Sequence, residues 1–435
     1  MGIRMFVRSW LLRVRWWAAA LVIGVYGLAW WMNPAYEMSG FVTETKWDDD
    51  SDIVAEPEMS RRFVSSDLDD FVHSSSITAL PGGNLMSVWF AGSREGAADV
   101  QIRAARFDAA SGEWGDEEVL ATRELTRQAV GKPIRKLGNP VIALAPDDRL
   151  WLFYVSVSLG GWAGSAINVM VSEDLGTTWS VPRQLITSPF INISTLVRSA
   201  PVFHQDGSIG LPVYHEFLGK FPEYLYLDSH ARVVDKFRMA DGDTSLQPTV
   251  VTLDDRRAIA LLRYAGREGH VLATVTADAG QTWSEERAIE PWNPNSSLAA
   301  IRSHRDTLLV AQNNLADGRF RLTLDESTFS LSTWSLVKTL DESTDAEGDP
   351  IPMEKYVPQL REQFIEASGP RRQVLLDEYV QGLEGRVCKR GLCDFEYEYP
   401  YIVRSDDGRF HMVYSWNNSF IKHVTFNRAW VEEQE

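Results

Sequence analysis

Residues 172–179 read Ser-Glu-Asp-Leu-Gly-Thr-Thr-Trp, and the same pattern returns at residues 276–283 as Thr-Ala-Asp-Ala-Gly-Gln-Thr-Trp. Two weaker copies occupy residues 107–114 and 325–334. The pattern is typical of a tight turn between strands, because its aspartate accepts hydrogen bonds from nearby backbone amides and its glycine tolerates a positive φ. The closing tryptophan is large enough to fill a gap between neighbouring sheets. Recurrence of this turn predicts a repeat protein in which each repeat forms one small antiparallel sheet.

Short strands surround these turns. Alternating runs rich in Val, Leu, Phe and Tyr are separated by turn sequences such as Asp407-Gly408, which is typical of antiparallel strands. The runs group into six units, and they predict an all-β, six-bladed β-propeller over residues 61–435. The last unit lacks a fourth strand, and we expect either residues 40–45 or the stretch near Phe63 to supply it and close the ring.

The chain has 435 residues, a formal net charge of −17 and 16 tryptophans. This acidic balance argues against nucleic acid as a partner, since nucleic-acid binding needs a basic surface. An anionic ligand would have to be met by locally placed arginines. The eight histidines show no paired spacing of metal ligands, and no glycine-rich phosphate loop lies between a strand and a helix. We therefore predict neither a metal ion nor any other cofactor.

The N-terminal segment combines positive charge with an uncharged stretch. Residues 1–15 carry four arginines, and residues 16–32 carry no charge but have tryptophans at both ends. Basic residues before an apolar segment favour a cytoplasmic N-terminus. We predict a transmembrane signal anchor at residues 16–32, a tether at residues 33–60, and a membrane-anchored propeller in the periplasm or outside the cell. A cleaved signal peptide is the alternative.

One segment, residues 340–398, does not follow the strand pattern. Apolar residues recur at helical spacing in residues 353–367 and 371–385, which predicts two amphipathic helices inserted before the sixth blade. Cys388 and Cys393, the only cysteines, follow these helices. A disulfide between them fits an exported protein, and two free thiols are the alternative. The insertion is either a lid over the ligand pocket or a helical hairpin without a role in binding.

Two kinds of loop share one rim of a propeller, here called the mouth: those that link successive blades and those that link the second and third strands of one blade. The turns with the repeated aspartate lie on the opposite rim. In this chain the mouth loops are polar, aromatic and rich in arginine, and such convergence predicts a binding site. The candidate site residues are Arg94, Glu95, Asn139, Trp162, Arg198, Gln247, Arg263, Asn295, Asn313, Glu398 and Tyr399.

Several phrases at these positions resemble one protein family. Together with the repeated turn, they are similar to the sialidase-like (neuraminidase) family of Asp-box, or BNR-repeat, proteins. The resemblance covers residues 65–426 except the insertion. It implies an exo-acting glycoside hydrolase that binds a glycan or polysaccharide. The phrases include Ser74-Ser75-Ser76, Gly138-Asn139-Pro140, Gln247-Pro248, Tyr399-Pro400 and the run Trp-Phe-Ala-Gly-Ser-Arg-Glu-Gly at residues 89–96.

The resemblance implies catalytic roles for individual residues. Family sialidases carry a carboxylic acid as general acid/base in the second-to-third loop of blade one, where this chain has Glu95, with Asp99 in reserve. A tyrosine, assisted by a glutamate, attacks the anomeric carbon. Tyr399 corresponds to that tyrosine. Its possible assistants are Glu398, Glu396 and Glu216.

The resemblance also implies substrate-binding residues. Family sialidases clamp the substrate carboxylate with three arginines, whose planar guanidinium groups bind carboxylates in bidentate geometry. Arg198 and Arg263 are expected to be two of them, with Arg94 or Arg135 as the third. Trp162 is expected to stack against a sugar ring. The remaining side chains, which either contact the sugar or brace the loops, are Asn139, Gln247, Asn295 and Asn313.

Two departures from the family widen the range of substrates. The Arg-Ile-Pro phrase with which many sialidases enter blade one is replaced by Ser75-Ser76-Ile77, and the general acid is Glu in place of Asp. We therefore expect a terminal sugar, in first place an anionic one, with a uronate or a deoxysugar at least as well suited as sialic acid. The alternative function is a non-catalytic glycan-binding propeller in surface polysaccharide assembly or export, which needs no proton donor at Glu95.

Overall fold

The computed structural model of the chain contains two units. Contacts within the chain divide it between residues 1–38 and residues 39–435. The residues that the structure describes are 2–32, 37–43, 56–68, 70–188, 192–267, 269–368 and 375–433.

The first unit contains the helix α1 (Gly2–Met32), which has 31 residues. Within the part of the chain that the structure describes, no helix is both long and apolar enough to cross a membrane. The prediction of a transmembrane helix at residues 16–32 is therefore wrong. The uncharged stretch makes up little more than half of α1 and the remainder carries four arginines, so the helix as a whole lacks the required apolarity. Of the predicted tether, residues 33–36 and 44–55 lie outside the described residues.

The second unit contains six antiparallel sheets whose inner strands follow one another around a closed ring. This is the predicted all-β arrangement of six blades, and its core lies between the blades, where alternate residues of the strands are buried. Blade 1 is preceded by β1 (Met59–Phe63) and followed by the helix α2 (Arg123–Val130). The strands of blade 1 are β2 (Phe71–Ala79), β3 (Leu85–Gly92), β4 (Gln101–Asp108), β5 (Glu113–Trp114) and β6 (Glu118–Ala121).

The other blades follow in chain order. Blade 2 has β7 (Lys136–Leu144), β8 (Leu150–Val157), β9 (Ser165–Ser172) and β10 (Arg183–Gln184). Blade 3 has β11 (Leu196–Val197), β12 (Val202–Phe203), β13 (Ile209–His215), β14 (Phe221–Leu227) and β15 (Val233–Arg238). Blade 4 has β16 (Ser245–Thr252), β17 (Ala258–Tyr264), β18 (His270–Thr276) and β19 (Arg287–Trp292). Blade 5 has β20 (Ala299–His304), β21 (Thr307–Gln312), β22 (Arg321–Thr328) and β23 (Trp334–Glu342).

An inserted segment separates blade 5 from blade 6. It contains β24 (Ile351–Pro352), α3 (Met353–Ala367), α4 (Leu376–Gln381), β25 (Cys388–Lys389) and β26 (Leu392–Cys393). Blade 6 has β27 (Tyr397–Arg404), β28 (Phe410–Trp416) and β29 (Phe420–Phe426), and the helix α5 (Arg428–Glu432) follows it.

The ring is closed by a strand from the beginning of the second unit. Strand β1 pairs antiparallel with β29, from Met59 opposite Phe426 to Phe63 opposite Lys422, and completes blade 6. The prediction that the stretch near Phe63 closes the ring is confirmed. Of the alternative stretch, Phe41 instead forms an isolated bridge with blade 3. Closure of this kind leaves few unpaired sheet edges.

The repeated turns have the predicted geometry. Asp174 accepts hydrogen bonds from the backbone amide and the hydroxyl of Thr178, at 2.8 and 2.6 Å, and these bonds lower the pKa of Asp174 to about 2. Gly176 has a φ of 88°, in the region that favours glycine. Asp278 makes the same bonds in the second good copy. The ring of Trp283 packs against a tyrosine of blade 3, with 6.0 Å between centroids, so the turn also joins neighbouring blades.

The insertion contains the predicted helices and disulfide. The first helix has the predicted bounds of residues 353–367. The second is shorter than the predicted 371–385, and residues 371–374 lie outside the described residues. Cys388 and Cys393 form the disulfide, and both are fully buried. Helix α3 lies on the flank of blade 6, where Gln363 accepts hydrogen bonds from Tyr397 and Trp416. The helices therefore support the blade that carries Tyr399.

A row of hydrogen bonds crosses the seam between blades 6 and 1. The indole of Trp114 donates to Nδ1 of His423 at 3.2 Å, so the neutral His423 carries its proton on Nε2, which lies 3.2 Å from Nδ1 of His411. His411 is bonded in turn to Ser405, at 2.9 Å. Burial lowers the pKa of His411 to about 4 and that of His423 well below its usual range. Both histidines are therefore neutral at physiological pH.

We expect stability to fall in acid because of this row. The folded pKa of His411 lies below its unfolded value of about 6.5, so the unfolded chain binds protons more readily. The contribution of neutral His411 to the free energy of unfolding is fully present above pH ~6.5 and is lost progressively as the pH falls to about 4. For His411 alone this loss amounts to about 3 kcal/mol. Denaturant unfolding at a series of pH values measures this loss. The free energy of unfolding of a His411→Gln variant should depend less steeply on pH than that of the unchanged protein, whereas a variant of the exposed His230, His230→Gln, should keep the same dependence. Equal slopes in the unchanged protein and both variants would contradict the prediction.

Candidate active site

The inner strands of four blades share one irregularity near the mouth. In each, a β-bulge places two residues of the inner strand opposite one residue of the next strand, and the first of the two has a φ between 44° and 55°. In three blades the second bulge residue is proline, which has no amide hydrogen to pair and so suits this position. A bulge re-aims the side chain that it carries. The first bulge residues are Ser74, Asn139, Gln247 and Tyr399.

Three of these re-aimed side chains, those of Asn139, Gln247 and Tyr399, meet in one hydrogen-bond network. The hydroxyl of Tyr399 accepts from Nη1 of Arg263 at 3.2 Å and from Nε2 of Gln247 at 3.4 Å. Nε2 of Gln247 also lies 3.4 Å from the hydroxyl of Tyr214, to which Asn139 donates at 3.1 Å. The structure thus brings together four of the predicted site residues and adds Tyr214, which the sequence analysis did not select.

The surroundings of Tyr399 favour its phenolate. Burial by itself raises the pKa of Tyr399, but the charges of Arg263 and Arg319 and the hydrogen bonds from Gln247 and Arg263 outweigh burial and lower it below its usual value. The edge of the His73 ring lies against the ring of Tyr399, with 4.3 Å between centroids. Burial, with the neighbouring Arg319 and Arg198, lowers the pKa of His73 to about 3, so this ring is neutral.

Arg319 is the site residue that the sequence analysis missed. It forms an ion pair with Glu398 and donates to the backbone oxygen of Asn295 at 3.0 Å. The side chain of Asn295 accepts from Nε of Arg263 at 2.8 Å, so this one residue positions both cations. Arg319 lies in the same mouth loop as Asn313, between β21 and β22. This position in a mouth loop could have identified Arg319 as a candidate from the sequence. The third arginine of the cluster is therefore Arg319, whereas Arg94 and Arg135 are exposed to solvent.

Two predicted substrate-binding residues are in the interior. Arg198 is only 2% exposed; it donates to the backbone oxygens of Tyr399 and Pro400, at 2.5 and 3.1 Å, and burial lowers its pKa to about 10. Asn313 is fully buried and donates to the backbone oxygen of Tyr397 at 3.0 Å. Both side chains brace the strand that carries Tyr399, and their contact with substrate stays a prediction.

A second set of charged side chains lies on the side of the mouth that blades 1, 2 and 3 form. Glu95 is exposed on the loop between β3 and β4. Burial raises the pKa of Glu216, against the charges of Arg263 and Lys220, and the negative charge of Glu95 adds to this rise. Burial lowers the pKa of Lys136, while the charges of Glu95 and Glu216 act to raise it. The two carboxylates therefore lie within electrostatic reach of each other and of the tyrosine network.

The remaining predicted residues have structural partners. The amine of Lys136 lies 3.7 Å from the ring centroid of Trp162, which was predicted to stack against a sugar. One face of this ring is therefore in contact with a cation. Asp99, the reserve acid, accepts from the amide and hydroxyl of Ser93 and holds the loop that carries Glu95.

A cavity of about 200 Å³ adjoins Arg319 at the mouth. It lies between the blade 5 loop and the insertion, and its lining is acidic. Among the described residues, no group of three or more His, Cys, Asp or Glu side chains is placed to hold a metal ion. The charged residues that line the cavity are Asp317, Arg319, Asp349, Asp394 and Glu396.

A six-bladed propeller with Asp-box turns and a tyrosine among arginines at its mouth defines the sialidase-like class. The chain belongs to the family described as BNR repeat-like domain, whose model matches residues 83–412. The resemblance recognised in the sequence is thereby confirmed. No curated protein matches the chain.

Solved structures share the fold. The Ruminococcus gnavus intramolecular trans-sialidase is 12% identical, with a TM-score of 0.59, and the match covers 86% of this chain and 98% of that one. A Dyadobacter fermentans protein of unknown function is 12% identical, with a TM-score of 0.59 and coverage of 85% and 98%. The Hadza microbial sialidase Hz136 is 14% identical, with a TM-score of 0.56 and coverage of 81% and 65%. At these identities the likeness shows the fold alone.

Proposed function

We propose that the protein is an exo-acting glycoside hydrolase of the sialidase-like type that removes a terminal anionic sugar from a glycan or polysaccharide. One observation carries the proposal: the hydroxyl of Tyr399 is held by Arg263 and Gln247, and its pKa is lowered. A half-buried tyrosine beside two arginines is suited to attack as a phenolate, and the same cations suit an anionic substituent. The matches to sialidase structures support this reading through the shared fold.

The reaction would proceed in two displacements. Tyr399 attacks the anomeric carbon while Glu95 gives its proton to the leaving glycosidic oxygen, so the bond to the aglycone breaks and a glycosyl-tyrosine forms. Water, deprotonated by Glu95, then attacks the same carbon and releases the tyrosine. Two inversions at one carbon give net retention of configuration.

The proton of Tyr399 needs an acceptor, and two glutamates have different environments. Glu398, the predicted assistant, is held in the ion pair with Arg319 and is only 4% exposed, so we assign it the positioning of that cation. Glu216, whose pKa is raised, is better suited to accept a proton. Arg263 and Arg319 would bind the anionic group of the sugar, and Asn295 would orient both.

We also propose that the protein is exported. The buried disulfide between Cys388 and Cys393 supports this, because disulfides persist in oxidising compartments and are rare in the reducing cytosol.

A screen of the full-length protein against sialosides, uronosides and rhamnosides tests the function. We expect release of one terminal sugar, with the anomer of its first product retained in NMR spectra. If no glycan is cleaved but one is bound, the protein is the non-catalytic glycan-binding propeller instead.

Replacement of Glu95 by Gln is expected to lower turnover by about 10²-fold or more while leaving glycan binding nearly unchanged, because the amide cannot donate the proton. Initial rates and binding isotherms on the same glycan measure both quantities. The matched control is Glu173→Gln, which changes an exposed carboxylate of an Asp-box turn on the opposite rim. Unchanged turnover in Glu95→Gln would remove the catalytic assignment of this residue.

A further inference from the structure

A small cavity lies at the centre of the propeller, where the inner strands of four blades meet. Its volume is about 30 Å³. A water molecule needs roughly 10–15 Å³ of such space, so the cavity admits a small ion or one or two waters but no sugar ring. We call it the channel cavity. Its lining comes from blades 3, 4, 5 and 6 and includes Arg198, Ser199, Thr249, Leu298, Pro400 and Tyr401.

Among the described residues that line the channel cavity, Arg198 is the one that carries a charge. Both of its hydrogen bonds to the backbone of Tyr399 and Pro400 come from Nη2. Its Nε is buried and has no hydrogen-bond partner in the described part of the chain. A buried N–H without a partner is costly, and a buried cation without an anion costs more. Arg198 therefore lacks a partner at a point where the protein leaves room for one.

The groups whose charges act on Arg198 are three phenols, with no carboxylate among them in the described residues. Burial raises the pKa of Tyr401 and of Tyr214, so both are neutral at physiological pH. The third phenol is that of Tyr399, whose hydroxyl bonds to Arg263. Arg198 instead faces the ring of Tyr399, with 5.0 Å from its guanidinium carbon to the ring centroid. A phenolate at Tyr399 would thus pair with Arg263 and leave Arg198 without an anion of its own.

Two other cations in the interior are paired. Lys422 forms an ion pair with Asp341, and Arg428 forms one with Glu326. Burial of a charge is tolerated in these places because a carboxylate lies beside it. The same requirement at Arg198 calls for an anion that the described residues do not supply.

We propose that the channel cavity binds a monovalent anion of the size of chloride, which pairs with Arg198 beneath the strand that carries Tyr399. Water alone would give Nε a partner but would leave the charge uncompensated. A divalent anion would exceed the single positive charge of the lining. The two hydroxyls at the cavity already have partners, because Thr249 donates to the backbone oxygen of Leu298 and so accepts from Ser199. The guanidinium is therefore the group that holds the ion.

Such an anion would join the inner strands of four blades, so it should stabilise the folded ring. Thermal unfolding of the full-length protein in sodium chloride and in sodium gluconate, at equal ionic strength, measures this effect. We expect a Tm about 2–4 °C higher in chloride when chloride is at about a hundred times its Kd. Arg198→Met should remove the difference. The matched control is Arg123→Met, which changes an exposed arginine of α2 and should keep the difference.

Gluconate also separates the channel anion from a substrate. It is a sugar acid too large for the channel cavity, and its carboxylate reports whether Arg198 binds a sugar carboxylate instead. If gluconate stabilises the protein as much as chloride does, and Arg198→Met abolishes both effects, the proposal is overturned in favour of a contact between Arg198 and the substrate.

Bromide locates the ion directly. In crystals of the full-length protein soaked in sodium bromide, we expect an anomalous scattering peak in the channel cavity beside Arg198. This measurement needs no variant, so it decides the question even if Arg198→Met does not fold. Absence of the peak would overturn the proposal. A peak without a chloride-dependent rise in Tm, or with an equal rise in Arg198→Met, would mark an adventitious ion only and would overturn it too. Neither measurement contains a substrate, so failure leaves the proposed hydrolysis standing.

Discussion

Replacement of Tyr399 by Phe is expected to lower glycoside hydrolysis by about 10³-fold or more, because removal of a nucleophile eliminates the covalent step and leaves only binding and electrostatic contributions. The aromatic ring, its contact with His73 and the backbone bonds from Arg198 would all remain. The binding of a glycan product should therefore change little. Single-turnover rates and binding isotherms, measured on the glycan identified in the screen, separate the two effects.

Tyr401→Phe is the matched control, since Tyr401 lies on the same strand and its ring also faces Arg198, at 5.7 Å. We expect this variant to retain hydrolysis. If the Tyr399→Phe variant still binds glycan and its rate of hydrolysis falls by less than about tenfold, Tyr399 is not the nucleophile and the reaction must use a carboxylate.

Replacement of Lys422 by Met is expected to lower the free energy of unfolding by about 3–5 kcal/mol. The amine of Lys422 is completely buried and lies 2.8 Å from both carboxylate oxygens of Asp341, which is 3% exposed in the side chain. Tyr414 donates to the same carboxylate at 2.6 Å. Removal of the lysine leaves the buried carboxylate of Asp341 without the cation that pairs with it, and that uncompensated charge is the source of the loss. Denaturant unfolding followed by tryptophan fluorescence measures the change.

The double variant Lys422→Met/Asp341→Asn should recover most of this stability, because it removes the unpaired charge and retains an acceptor for Tyr414. The pair joins the last strand of blade 5 to blade 6, next to the insertion. If the double variant is as unstable as Lys422→Met alone, lost packing across this joint is responsible, and the electrostatic explanation fails.

The fold could be predicted from the sequence because its determinants are local. The turn at residues 172–179 and its copies, the alternation of apolar residues, and the helical spacing of residues 353–367 each depend on neighbours within one element. Asn139-Pro140, Gln247-Pro248 and Tyr399-Pro400 likewise mark the bulges that re-aim the site side chains. The N-terminal stretch misled the same kind of reasoning, because its tryptophan flanks and arginines resemble an anchor although the helix is not apolar enough to span a membrane.

Only the tertiary structure decided which charges surround Tyr399. Arg198 and Arg263 both belong to mouth strands or links. Arg198 is buried against the backbone of Tyr399, whereas Arg263 faces the hydroxyl of Tyr399. Arg319, which the sequence analysis did not select, lies with Arg263 close enough to lower the pKa of Tyr399. These contacts join residues up to 201 positions apart in the chain, through the closure of the ring and the inward turn of each bulge. Local sequence sets the strand and the bulge, but the burial and the charge of each side chain depend on which blade packs opposite it.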